Sequence, residues 1–351
     1  MSPRVGSVNI GSLQGRDALR VKELWSRSWH KADANFFVPD RRLFDRDFER
    51  VIREYILPGH CPAEPLLGAK DLVITLGSCF ARELRTFLTD AGLAATRLRI
   101  PEGLNNTFAM LDFVSWCVTG SETGQGFRYD RLRSGEIREW APEDERARFA
   151  AAFADAGAFV FTAGLAEVWQ DRETGGVFWR GVPKEMFDED RHVFRLTTVE
   201  ENAENLARTI DLVRRLNADA PIVITLSPVP LEATFRNISC LTADSVSKSV
   251  LRVAVDQVMS ERRRDVFYWP SFEIVRWAGA HLSWPAYGFD DDKPRHVDRY
   301  LVGRIIDAFV EAFYVPEDVA RMRSRQTTVK APDTLAGRLE AVRTRRRKRA
   351  R

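Results

Sequence analysis

The stretch DLVITLGSCFARELRTFL, residues 71–88, decides how the chain is read. Its apolar run LVITL, residues 72–76, has the length and composition of a buried strand; Gly77 ends it, and a helical pattern begins at once. Such a junction sets the hydroxyl of Ser78 beside the thiol of Cys79 where a strand leaves a sheet. In a parallel α/β sheet, ligands bind beyond the carboxyl ends of the strands. Gly77 permits the sharp turn. The first N–H groups of the following helix, near Cys79 and Phe80, have no intrahelical acceptor, and the helix dipole adds positive potential, so an oxyanion or a thiolate would be stabilised there. From spacing alone a second reading has equal weight: Ser78 caps the helix and Cys79 is a small buried hydrophobe.

The same kind of strand recurs. AFVFT at 158–162, PIVITL at 221–226 and DVFYW at 265–269 are continuous apolar runs, as expected for strands covered on both faces. Between and after them, Leu206, Ile210, Val213 and Leu216, then Leu301, Ile305, Phe309 and Phe313, repeat at helical spacing. Alternating strands and helices predict an α/β fold, a three-layer α/β/α sandwich on a mainly parallel, doubly wound sheet. Residues 1–70, rich in Arg, Asp and aromatics such as Trp25, Trp29, Phe44 and Phe48, read as a helical or irregular N-terminal extension packed on that sheet. The interval 94–157 reads as an insertion or cap, with helices at TFAMLDFVSWCV and PEDERARFAAAFA. The expected domains are therefore 1–70, 71–315 and a basic, disordered tail at 316–351.

Bulk composition narrows the function classes. A chain of 351 residues, 44% hydrophobic, can bury one large core. The N-terminus has no uninterrupted apolar segment, and no apolar run approaches the roughly 20 residues that span a bilayer, which predicts a cytoplasmic protein without a membrane span. Cys61, Cys79, Cys117 and Cys240 are widely spaced, so neither a disulfide framework nor a metal site is expected. No GxxxxGK[ST] or GxGxxG occurs, which disfavours nucleotide-dependent chemistry, and no cofactor is expected. The net charge of +3 is concentrated: residues 338–351 carry eight Lys or Arg against one Glu, leaving the rest of the chain net acidic. Nucleic acid is not a required partner; the tail reads as solvated, with contact to an anionic surface as the other option.

A second constellation lies at GFDDDKPRHVDRYLVGRIIDAF, residues 288–309. Of five histidines, at 30, 60, 192, 281 and 296, only His296 sits in a short acidic loop before a terminal helix. A carboxylate that orients an imidazole, with the imidazole as base to a nucleophile, is the logic of a catalytic triad. Taken singly, an acidic loop with a His is more often a solvated helix entry; beside Gly77-Ser78-Cys79 the catalytic reading gains weight.

Gly77-Ser78-Cys79-Phe80-Ala81 resembles the signature of the GSCFA domain family, bacterial proteins related to the SGNH, or GDSL-type, hydrolase superfamily. Asn105-Asn106-Thr107-Phe108, Gly164-Leu165-Ala166-Glu167-Val168-Trp169, Ser227-Pro228-Val229-Pro230, Ser247-Lys248-Ser249 and Tyr268-Trp269-Pro270-Ser271 resemble further family segments in order, from about residue 70 to 312. The resemblance implies an SGNH hydrolase-like fold and acyl-ester chemistry, as hydrolase/esterase or acyltransferase, of the kind suspected in polysaccharide modification. It puts Cys79 in the place of the superfamily's serine nucleophile, with Ser78 as the other candidate, and His296 as the base. The superfamily spacing Asp-x-x-His is absent: Lys293 stands three residues before His296, so Asp292 or Asp291 is left to orient it. The oxyanion and substrate positions fall to Gly77, Gly164, and Asn105 or Asn106. Glu167 stands there as a structural acceptor, a substrate-hydroxyl ligand or a protonated acid. The expected substrate is an acylated carbohydrate or small ester, with an acyl-CoA donor if the protein is a transferase; the other class is a catalytically inactive domain that binds a glycan or a protein.

Overall fold

A computed structural model describes residues 38–96, 104–120, 129–131, 137–139, 143–261 and 263–325, with residues 336, 337, 340, 341 and 344. The chain divides into two units, Met1–Asp40 and Arg41–Arg351, and the fold lies in the second. The aromatic residues before Val38 lie outside the described residues.

The four apolar runs form the four strands of one parallel sheet. In the chain order of all strands these are β1 (Val73–Gly77), β4 (Ala158–Ala163), β7 (Ile222–Leu226) and β8 (Val266–Trp269), and they lie side by side in that order. Residues 94–96 add a short parallel edge to β1 through the Val73–Ala95 bridge. The chain therefore steps outward from β1 on one side and returns to its other side at β4. That reversal makes the carboxyl ends of β1 and β4 the topological switch point, where a crevice opens in sheets of this kind.

Both faces are covered, which is why the strands read as continuous apolar runs rather than alternating ones. Val73, Val160, Val223 and Trp269 join one core. Ile74, Phe159, Phe161, Ile222, Ile224 and Tyr268 join the other. The first core is closed by α3 (Cys79–Asp90), α9 (Arg299–Phe313) and the turns α1 (Arg41–Arg46) and α2 (Phe48–Val51), which bury Phe44 and Phe48. The second is closed by α4 (Thr107–Thr119), α5 (Glu143–Ala154), α6 (Val199–Leu216) and α7 (Cys240–Ser260). The result is a three-layer α/β/α sandwich.

Two features depart from the sequence reading. An antiparallel pair, β5 (Glu167–Asp171) and β6 (His192–Leu196), follows β4 as a separate arm. The core also runs past residue 315: Pro316–Arg325 form a helix, α10, whose Val319 and Met322 are buried, and Ala341 packs partly against the same core. Asp318 accepts a 2.6 Å hydrogen bond from the Ala69 N–H, tying α10 to the segment that enters β1. Most of the basic tail lies outside the described residues.

Candidate active site

Gly77, Ser78 and Cys79 stand where β1 hands over to α3 at the carboxyl edge of the sheet, Gly164 and Glu167 stand between β4 and the start of β5, Asn106 caps α4, and His296 lies on the loop before α9. Gly77 ends β1 with φ +119°, and a Cβ built on it would lie 2.1 Å from the Thr162 carbonyl oxygen of β4. Only glycine fits, because the turn needs a positive φ and the neighbouring strand leaves no space for a side chain. Gly77 is thus a backbone requirement of the turn.

Ser78 follows as the N-cap of α3. Its Oγ accepts a 3.3 Å hydrogen bond from the Phe80 N–H, and it is buried. The capping role weighed for it is the one it occupies. Cys79 is the first residue of α3; its side chain lies outside the described residues, and so does its separation from His296.

Gly164 follows β4. A Cβ there would lie 3.5 Å from the Ser78 Cβ and 3.5 Å from the Asn105 Cβ, so the three residues converge at the switch point. The Asn105 carbonyl accepts from both the Gly164 and Leu165 N–H groups, at 2.8 and 2.9 Å. The Asn105 Oδ1 and Thr162 Oγ1 atoms are buried without a hydrogen-bond partner among the described residues. Native interiors rarely leave such atoms unpaired, and both residues neighbour Ser78: the Thr162 carbonyl accepts its N–H, and the Asn105 Cβ lies with the Ser78 Cβ against Gly164.

Asn106, in contrast, has no donor left for an oxyanion. Its Oδ1 accepts from the Ala109 N–H at 2.8 Å as the N-cap of α4, and its Nδ2 donates to the Trp179 carbonyl at 3.0 Å and the Phe178 carbonyl at 3.5 Å. The expectation placed on Asn106 therefore passes to Asn105, since a buried amide that caps a helix is consumed by the cap. Glu167 is likewise occupied: its carboxylate accepts from Thr234 Oγ1 at 2.8 Å and pairs with Arg236 at 3.1 Å, so of its three readings the structural acceptor is the one the contacts describe.

His296 sits on the loop that enters α9. Its Nδ1 lies 2.6 Å from Asp291 Oδ2. The carboxylate on the imidazole is thus Asp291 and not Asp292. Asp292 adopts a left-handed backbone, φ 59°, and the loop closes behind it through a 3.0 Å bond from the His296 N–H to the Lys293 carbonyl. That turn folds His296 back onto the residue five positions earlier. The Lys293 N–H, 3.1 Å from Asp291 Oδ1, together with the imidazole, holds the Asp291 carboxyl below its ordinary range.

The loop docks on the exit of β7. Tyr287 donates its hydroxyl to the Pro228 carbonyl at 2.8 Å, and Arg295 donates to the Pro230 carbonyl at 3.1 Å. The β7 exit is bonded in turn to β4 by Ser227 N–H to the Ala163 carbonyl, 2.8 Å, and β4 to β1 by Ser78 N–H to the Thr162 carbonyl, 3.3 Å. Helix α9 then runs to the opposite edge, where the Phe313 carbonyl accepts from Leu66 and Leu67 just before β1. Helices α3 and α9 pack together, both beginning at the carboxyl edge. Ser78, Cys79 and His296 therefore belong to helix starts on one edge of the sheet.

Over residues 72–309 the chain matches the model of the GSCFA family. The chain belongs to the GSCFA family. The match spans the sheet from the first residues of β1 to α9, so it includes every element that brings a residue to this edge. No curated protein matches the chain.

Two members of this GSCFA site carry no sequence signal of their role. Lys248 is buried on α7, with its Nζ 2.6 Å from the Gly164 carbonyl. Burial brings its ammonium down to about 7. One turn earlier on the same helix, the buried Asp244 accepts from the Leu231 N–H at 2.9 Å and pairs with Arg276. The spacing of Asp244 and Lys248 was legible as one helix face; that the face looks into the strand exits was not. Among the described residues no group of His, Cys, Asp and Glu could hold a metal ion, and no helix is long and apolar enough to cross a membrane.

Proposed function

We propose that this edge carries acyl-ester chemistry, as a hydrolase or an acyltransferase of the SGNH-like type acting on an acylated carbohydrate or a small ester. The reading rests above all on the 2.6 Å His296–Asp291 pair, set before a helix that starts at the same sheet edge as Cys79. The Cys79 thiolate attacks the ester carbonyl carbon. The oxyanion that forms is met by helix N–H groups and by the Asn105 amide. His296, held in orientation by Asp291, takes the thiol proton and returns it to the departing alcohol, leaving a thioester. Water resolves the thioester in a hydrolase and an acceptor hydroxyl in a transferase, where acyl-CoA is the donor that suits a thiol nucleophile. Turnover of p-nitrophenyl acetate by the full chain, lost in Cys79→Ala and slowed in His296→Ala, is the expected result. Wild-type protein without turnover of any activated acyl or thioester substrate would defeat it.

One observation favours a second reading, a binding domain without catalysis. Trp169, Phe194 and Phe235 form a ring cluster on and beside the β5–β6 arm, with centroids 4.9 to 5.2 Å apart, and Phe235 is 69% exposed. Exposed aromatic faces of this kind suit the apolar face of a sugar ring or a partner protein. Glycan binding that survives Cys79→Ala, in a protein without esterase turnover, would select it.

A further inference from the structure

The turn that follows β4 is gripped from two sides. Asn105 holds it by accepting the Gly164 and Leu165 N–H groups, and Lys248 holds it by donating to the Gly164 carbonyl at 2.6 Å. Ser247, the preceding residue of α7, accepts from the Ala166 N–H at 2.8 Å. Asp244, on the same face of α7, grips the β7 exit at Leu231, and its partner Arg276 donates to the Pro228 carbonyl at 3.1 Å. Pro228 is also the acceptor for Tyr287 of the His296 loop. One face of one helix thus reaches both strand exits.

A buried lysine is costly to keep, and replacement of a buried charge by an apolar side chain of similar shape is often neutral or stabilising. Among the described residues Lys248 has one hydrogen-bond acceptor, Gly164, and no carboxylate within bonding distance; Asp244, Arg276 and Arg295 are the charged groups that act on it. Its place is poorly explained by stability. We infer that Lys248 is a positioning residue: it fixes the Gly164–Leu165 turn, and through that turn the Asn105 amide beside Ser78. The inference rests on the proposal that Asn105 meets the oxyanion.

Lys248→Met keeps the volume and removes the grip. The expected result is an unchanged or raised melting temperature, with kcat on p-nitrophenyl acetate down about tenfold and KM unchanged, because the amide is misplaced only where charge develops. Asn105→Ala should cost on the order of 10²-fold, as for loss of one oxyanion donor. The double variant should be no slower than Asn105→Ala alone, since both changes act through one amide. Hydrogen exchange of the Gly164 and Leu165 amides, bonded to Asn105, should quicken in Lys248→Met, a readout that needs no turnover. If the wild type turns over substrate and the two losses multiply, or if Lys248→Met leaves kcat unchanged, the inference is overturned while the acyl-ester reading stands. If the wild type has no turnover, that reading fails by itself, and unchanged exchange in Lys248→Met then overturns the grip as well.

Discussion

Gly77 and the Thr162 carbonyl are packed so closely that a Cβ on the glycine would lie 2.1 Å from the oxygen. Gly77→Ala must therefore push β1 away from β4 and hold a positive φ against its side chain. The expected cost is about 2 kcal/mol or more, read as a lowered urea midpoint with an unchanged slope. A variant as stable as the parent would mean that the two strands part easily at this edge.

Ser78→Ala should separate stability from chemistry. Losing the Phe80 cap costs about 1 kcal/mol and leaves ester turnover within a few-fold of the parent, whereas Cys79→Ala abolishes turnover without that loss of stability. The opposite pattern would move the nucleophile to Ser78.

The two neighbouring aspartates should behave differently. Asp291→Asn removes the charge from the carboxylate 2.6 Å from His296 and should lower kcat by at least tenfold. Asp292→Asn should leave kcat near the parent value, because asparagine also tolerates the left-handed backbone that Asp292 adopts. Equal losses in the two variants would remove the special role of Asp291.

Lys248 makes a pH-dependent prediction for stability. Its ammonium titrates near 7 in the folded chain and near 10.5 when unfolded, so between those values the unfolded chain binds the extra proton. Stability therefore rises with pH through that window, by up to about 1.4 kcal/mol per pH unit from this group. Lys248→Met abolishes the contribution, so the stability advantage of the variant should be largest near pH 6.5 and shrink toward pH 9.5. Urea titrations of both proteins across that range, giving a constant difference, would place the folded-state titration elsewhere.

Truncation tests where the core ends. A chain stopped after Val315 loses the buried Val319 and Met322 and the Asp318 bond to Ala69, and should be destabilised by roughly 3 kcal/mol. A chain stopped after residue 337 loses, among the described residues, one partly buried alanine, Ala341, and should melt within a few degrees of the parent. Similar melting temperatures for the two truncations would show that α10 adds nothing to the core.

Local chemistry made much of the fold legible. Four apolar runs too continuous for a half-exposed sheet could only be buried on both faces, and the Gly-Ser pair after the first of them marked a strand exit and a helix cap, because glycine and serine serve those positions through their own backbone and side chain. The tertiary structure decided what depends on residues distant in sequence. Asn106 and Glu167 were candidates through the family resemblance and are consumed by Trp179 and by Thr234 with Arg236, partners 67 to 73 positions away. Lys248 stood in a segment that resembles the family, but nothing local gave its role, since its acceptor is the Gly164 carbonyl 84 residues before it. The choice of Asp291 over Asp292 lay between, for it turned on a left-handed residue and a closed loop that the order Asp-Asp-Asp-Lys-Pro permits and does not specify. A sequence fixes which groups a segment can offer; which of them remain unpaired is fixed only when the sheet and its helices bring other segments close enough to bond them.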